Sequence, residues 1–176
     1  MGKFQRRKFA ERMRLRIEGD ADESVKAIMK KLEERGILTR EREFDPQENI
    51  RLADVLVSGG RGIGSKEFFD ELWRVAELLG GNVSSSRANV ASGWIERARQ
   101  VGQTGKKVAP KVYIACGIQG TDQHLGGMLG SEFIIAINKN GWAPIFRVSD
   151  LSIVGDVKEI IPKLAAALEA YRENQA

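Results

Sequence analysis

The residues able to do chemistry in this chain sit in glycine-rich turns that interrupt short apolar runs. Ser58-Gly59-Gly60-Arg61-Gly62-Ile63-Gly64-Ser65 follows Val55-Leu56-Val57 and precedes a helical pattern. Glycines permit a tight turn and close backbone approach, the free N–H groups of a helix start attract phosphate, and Arg61 adds a fixed positive charge. The spacing is neither the GxGxxG fingerprint nor a Walker loop, since no Gly-Lys-Ser/Thr closes it. A plain strand-to-helix turn accounts for it equally well. Ser85-Ser86-Arg87-Ala88-Asn89 sets hydroxyls beside a guanidinium, which suits an anion or a carbonyl. The alternative there is an N-cap next to a surface arginine. Val101-Gly102-Gln103-Thr104-Gly105-Lys106 has no apolar period, and its Gln and Thr side chains both donate and accept.

Cys116-Gly117-Ile118-Gln119-Gly120-Thr121-Asp122-Gln123-His124-Leu125 is a Gly-bearing turn opening a helix, and it holds the single histidine. A lone histidine is usually structural, but this one lies in the first turns of a helix after a strand, facing the expected ligand edge. Cys116 reads as a buried small apolar residue, because its one possible base is that same histidine. Asn138 and Lys139 follow another apolar run, and Ser149 and Asp150 follow the Ile145 run. An amide or carboxylate at a strand's carboxyl end can hold ribose hydroxyls or an adenine edge, although either can be a turn residue. These loops contain no nucleophile–base pair and no paired acid–base carboxylates.

The elements that must position these loops alternate in texture. Val55-Leu56-Val57, Val112-Tyr113-Ile114-Ala115, Phe133-Ile134-Ile135-Ala136-Ile137 and Ile145-Phe146-Arg147-Val148 are short apolar runs. Most lack polar alternation, as strands buried on both faces do. Between them run helical patterns. Phe68, Leu72, Val75, Ala76 and Leu79 share one face and stop at Gly80-Gly81; Val157, Ile160, Ile161, Leu164, Ala167 and Leu168 form the last helix, with Pro162 as an early kink. Before these, Val25, Ile28, Met29 and Leu32 form a narrow stripe that Asp20 or Asp22 can cap and Gly36 can end. Strands alternating with helices predict an α/β fold, a mainly parallel Rossmann-like sheet with helices on both faces. Ligands then bind beyond the carboxyl ends of the strands. The expected division is a basic N-terminal arm, one helix and a connector over 1–52, followed by a ligand-binding domain over 53–176.

The chain has 176 residues, 42% hydrophobic and 30% charged, which supports one core and excludes a disordered composition. Its net charge of +4 is local: residues 1–43 hold 13 Lys/Arg against 9 Asp/Glu, and residues 44–176 hold 15 of each. Lys3, Arg6, Arg7, Lys8, Arg12, Arg14 and Arg16 make up the basic arm, which reads as a solvated leader rather than a nucleic-acid contact. No stretch approaches the ~20 apolar residues of a membrane span, and the basic start lacks the apolar segment of a secretory signal. One cysteine excludes a cystine scaffold and points to a reducing compartment, the cytoplasm; one cysteine with one histidine provides no zinc cluster.

Ser58-Gly-Gly-Arg-Gly, Ser86-Arg87-Ala88, Val101-Gly-Gln-Thr-Gly-Lys, Ala109-Pro110-Lys-Val-Tyr-Ile-Ala, Gln123-His124-Leu125, Ala136-Ile-Asn-Lys and Ala143-Pro-Ile-Phe, in this order, resemble the FAD-binding C-terminal domain of the electron transfer flavoprotein alpha subunit over about Ala53 to Leu164. The resemblance implies an electron carrier, not an enzyme, with FAD as cofactor and no catalytic or metal residues. Arg61, Ser86, Val101, Gly102, Gln103 and Thr104 would contact FAD, with Thr104 near the flavin N5 and Arg87 close to the isoalloxazine. Gln119, Gly120, Thr121, Asp122, Gln123 and His124 would wrap the ribityl and pyrophosphate, His124 directed at the pyrimidine end of the ring. Asn138, Asp150 and Leu151 would hold the adenosine half.

Implied partners are a beta subunit in a heterodimer, or a second copy of the chain, together with flavin dehydrogenases and a downstream acceptor. Against the family pattern, Gln119, Thr121 and Asp122 stand where it has Ser and an Ala-Ile pair, and Ser85 replaces Ala. The family's large N-terminal domain is reduced here to arm, helix and connector, as in an excised piece or a short relative. The alternative function is a non-redox nucleotide-binding or assembly module of the same fold.

Overall fold

A computed structural model describes residues 15–175. Six parallel strands form one sheet in the order β1-β6-β5-β4-β2-β3. They are β1 (Leu15–Ile17), β2 (Val55–Gly59), β3 (Asn82–Ser85), β4 (Val112–Cys116), β5 (Phe133–Asn138) and β6 (Leu151–Val154). The helices are α1 (Ala21–Glu34), α2 (Phe69–Leu79), α3 (Arg87–Ala91), α4 (Asp122–Met128) and α5 (Val157–Gln175). The Rossmann-like α/β reading holds. Lys3, Arg6, Arg7, Lys8, Arg12 and Arg14 of the basic arm lie outside the described residues.

Alternate residues of each central strand enter different cores, as the two-residue period of a strand requires. Val55, Val57, Val112, Ile114, Phe133, Ile135 and Ile137 face a layer built by α1, α2 and α5. Leu56, Tyr113, Ala115, Ile134 and Ala136 face the opposite side, where Val101, Val108, Ile118, Met128 and Ile145 cover them. One face thus carries three helices. The other carries short α4 and irregular chain, and this thinner layer joins the carboxyl-edge loops.

The capping expectations hold locally. Asp20 Oδ1 accepts from Glu23 N at 2.8 Å to start α1, and Gly80 ends α2. Helix α5 runs unbroken through Pro162, whose missing N–H falls within the second turn of the helix.

Two expectations fail. Ile145-Phe146-Arg147-Val148 is not a strand: Pro144–Arg147 forms a 3-10 turn. Pro144 presets helical φ, and Ile145 and Val148, three apart, both bury on the α4 side. The strand is instead Leu151–Val154, paired in register with Ile135–Asn138. In addition, Leu15–Ile17 of the basic segment is an edge strand beside β6.

Candidate functional site

Parallel register brings the carboxyl ends of β2, β3, β4, β5 and β6 to one edge, and the polar turns follow there. Gly60 N donates to Cys116 O and Gly62 N donates to Gly117 O, both at 2.9 Å, so the turns after β2 and β4 run backbone against backbone. A Cβ on Gly60 would lie 2.4 Å from Gly117 O, and Gly117 itself has φ +63°. Only glycine fits this crossing. Ser86 N donates to Gly59 O at 3.0 Å, and Asn89 Nδ2 donates to Gly59 O and Gly60 O. These bonds fasten the head of α3 to the β2 turn.

The Val101–Lys106 loop joins the same edge from two sides. Val101 N donates to Ser85 O at 2.9 Å, and Gln103 N donates to Gln123 O at 2.8 Å. Gln100 Nε2 donates to Thr104 Oγ1 at 3.1 Å. Thr121 caps α4, with its hydroxyl accepting from His124 N at 3.4 Å. Asn138, the last residue of β5, donates through Nδ2 to Ile118 O at 3.0 Å. Arg61, Ser86, Arg87, Val101, Gly102, Gln103, Thr104, Gln119, Gly120, Thr121, Asp122, Gln123, His124 and Asn138 therefore all belong to one rim. Arg61, Arg87, Gln103, Thr104, Gln119, Thr121, Asp122 and Gln123 are exposed, whereas Val101, Gly102 and His124 are buried.

Asp150 and Leu151 are not at that rim. The shift of the last strand makes them precede β6, and Asp150 Oδ2 accepts from Ile134 N at 2.7 Å at the amino end of β5. Asp156 occupies the place expected of Asp150. It follows β6, its Oδ1 accepts from Lys158 N at 2.9 Å as α5 begins, and the adjoining Gly155 N donates to Asn138 O at 3.1 Å. The alternating Leu-Ser-Ile-Val before Gly155-Asp156 was the signal available in the sequence.

Within the rim, His124 Nε2 lies 2.9 Å from Tyr113 Oη, which lies 2.8 Å from Ser58 Oγ. Burial lowers the His124 pKa to about 4, so the imidazole is neutral near pH 7. Burial also pushes the Tyr113 phenol far up. Cys116 belongs to the core on the other face, among the α1, α2 and α5 contacts. Its thiol is likewise pushed up by burial, so it stays protonated. Among the described residues no group of His, Cys, Asp and Glu could hold a metal ion, and no helix is long and apolar enough to cross a membrane.

A family profile described as the electron transfer flavoprotein FAD-binding domain matches residues 49–129, from the approach to β2 through α4. An electron transfer flavoprotein subunit alpha of Thermoanaerobacterium thermosaccharolyticum is 50% identical over 156 residues, 89% of this chain and 46% of that protein. One of Clostridium acetobutylicum is 55% identical over 122 residues, 69% of this chain and 36% of that protein. A protein named FixB from Clostridium saccharobutylicum is 58% identical over 118 residues, 67% of this chain and 35% of that protein. The chain thus spans less than half the length of these relatives. With the parallel sheet and its carboxyl-edge loops, these likenesses assign the chain to the electron transfer flavoprotein alpha family, of which it carries the domain described as FAD-binding.

Proposed function

We propose that the chain binds FAD along the carboxyl edge of its sheet and acts as an electron carrier, passing electrons from flavin dehydrogenases to an acceptor. The observation that carries this reading is the backbone stitching of three polar segments, Ser85–Arg87, Val101–Lys106 and Gln119–His124, into one rim. The side chains there fit the group. Ser86 Oγ is buried with no hydrogen-bond partner among the described residues, a cost that a ligand atom removes. Exposed Arg61 and Arg87 supply positive charge for a pyrophosphate and an electron-rich ring.

When bound, the flavin itself supplies the redox chemistry. The chain's residues bind and orient it. Arg61, Ser86, Val101 to Gln103 and Gln119 to Gln123 would hold its chain and phosphates, Thr104 would serve N5, Arg87 would serve the ring, and His124 would serve the pyrimidine end. Asn138 would hold the adenosine half, with Asp156 in the place assigned to Asp150 and Leu151. Exposed Asp122 can turn its charge to water, away from the pyrophosphate.

A single rim would leave one side of a bound ring open, which suits a beta subunit or a second copy as partner. An absorbance scan after reconstitution with FAD tests the cofactor, and the expected result is a yellow protein. A colourless protein that refuses FAD yet binds AMP or NAD would overturn the reading in favour of a non-redox nucleotide module. Size-exclusion chromatography tests the partner: a clean monomer with tightly held FAD contradicts it.

A further inference from the structure

Trp142 is 93% exposed, more than any other large apolar side chain among the described residues. Its loop is held in place by hydrogen bonds. Asn140 N donates to Asn138 Oδ1 at 2.9 Å, and Trp142 N donates to Asn140 Oδ1 at 3.0 Å. Arg16 of β1 donates through Nη2 to Gly141 O at 2.9 Å and lies over the Phe146 ring at 5.4 Å. The indole therefore stands beside the β1 edge of the sheet. Arg16 pairs with Glu18 at 2.6 Å and Lys139 with Asp156 at 3.9 Å. Exposed Arg147, next to Phe146, has no side-chain partner among the described residues, so its charge is the uncompensated one of this patch.

The opposite edge, outside β3, carries a groove of about 440 Å³ between α2 and the connector. Phe44, Pro46 and Trp73 give it an apolar lining, and Asp70, Glu77 and Glu96 stand around it. Phe44 meets Trp73 edge to face with centroids 6.3 Å apart. The cations there are engaged: Arg74 Nη2 lies 2.7 Å from Glu169 Oε1, and Arg99 Nε lies 2.8 Å from Glu96 Oε1. Asp70 and Glu77, two turns apart on α2, are exposed and have no side-chain partner among the described residues. An aromatic groove with two unpaired carboxylates complements an indole beside an unpaired guanidinium.

We propose that copies of this chain associate head to tail, Trp142 of one copy entering the Phe44–Trp73 groove of the next, with Arg147 turned to the Asp70 and Glu77 carboxylates. Anchor and groove lie at opposite edges of the sheet, so the contact is heterologous and leaves each pair with one free anchor and one free groove. One indole and a few charges cover less than the roughly 1,200 Å² of a standard interface, so the association is weak, dependent on concentration and screened by salt. It does not depend on the FAD reading above.

Sedimentation equilibrium of the untagged full chain tests this. The expected result is an average mass that rises with concentration and falls back with added salt; a chain that stays monomeric at every concentration overturns the proposal. Trp142→Ala, and Asp70→Lys combined with Glu77→Lys, change only exposed side chains. Each variant is expected to weaken association by about tenfold or more, as loss of an anchor or reversal of its facing charge does. Association equal to the parent's in either variant places the contact on another surface, such as the open carboxyl rim, and overturns the proposal while leaving the proposed function untouched. Mixing the two variants tests the geometry. The Trp142→Ala chain keeps its groove and the lysine-substituted chain keeps Trp142, so the mixture is expected to regain one contact and to form dimers that grow no further. A mixture no more associated than its separate components overturns the head-to-tail arrangement.

Discussion

Arg87 stands exposed at the head of α3, and its exposure sets how much it can tune a flavin. A unit charge about 4 Å from the ring contributes about 4 kcal/mol at an effective dielectric of 20 but about 1 kcal/mol in water. An exposed guanidinium belongs near the lower value, which is about 40 mV for a one-electron couple. Arg87→Ala is therefore expected to lower the potential of the first electron by tens of millivolts in potentiometric titration of the FAD-loaded protein. An unchanged potential removes the charge argument. His124, by contrast, is neutral near pH 7. Its folded pKa of about 4 lies below the ordinary 6.5, so the unfolded chain binds the proton first as pH falls. Stability from this group is complete above about pH 6.5, declines between 6.5 and 4, and is fully lost below 4. At about 1.36 kcal/mol per pKa unit the loss is about 3 kcal/mol. Urea midpoints across that window are expected to fall in the parent and to flatten in His124→Gln; equal slopes would show that the ring titrates normally.

The turn after β4 is the element on which most of the rim depends. Gly120 has φ +90°, and a Cβ there would lie 2.4 Å from Ile145 N, while Ile145 N itself donates to Gln119 O at 2.9 Å. Gly120→Ala is strained in backbone and in space together, a cost of about 1–3 kcal/mol or more. The expected outcome is a lower melting temperature together with weaker FAD binding, and a variant that melts and binds like the parent would show that the turn relaxes freely. The same region shows what the sequence made legible. Three of the strands, β2, β4 and β5, and the caps of α1 and α2 followed from apolar runs, an Asp and glycines, because those signals are local. Ile145–Val148 misled because four apolar residues fit a strand and a 3-10 turn alike, and Pro144 decided between them. That shift carried Asp150 to the wrong end of the sheet and hid Asp156. The rim itself was legible only as a set of turns. Its joining depends on backbone bonds such as Gln103 N to Gln123 O, which no residue type announces.

At the scale of the whole molecule, residues 15–52 are built into the same body as the domain that follows. Ile28 and Leu32 of α1 are fully buried with Leu164 and Leu168 of α5 in one core, and β1 extends the sheet beside β6. The connector screens the opposite edge. Asn82 Nδ2 donates to Asp45 O and Glu48 O. Buried Arg99 donates to Asn82 Oδ1, Val83 O and Pro46 O and lies over the Trp73 ring at 4.4 Å. Edge strand β3 is thus covered rather than open to another chain. A boundary at residue 53 therefore cuts through packing. Removing residues 1–52 takes Val25, Ile28, Leu32 and Ile37 out of the core, each contributing about 1.5–3 kcal/mol. Four such side chains match the whole stability of an ordinary domain, about 5–15 kcal/mol, before the uncovered β3 edge is considered. A chain of residues 53–176 is expected to give no cooperative thermal transition by circular dichroism and to aggregate. Cooperative melting of that piece at the full chain's temperature would mean that the segment is an appendage and that its packing contributes nothing to the body that follows.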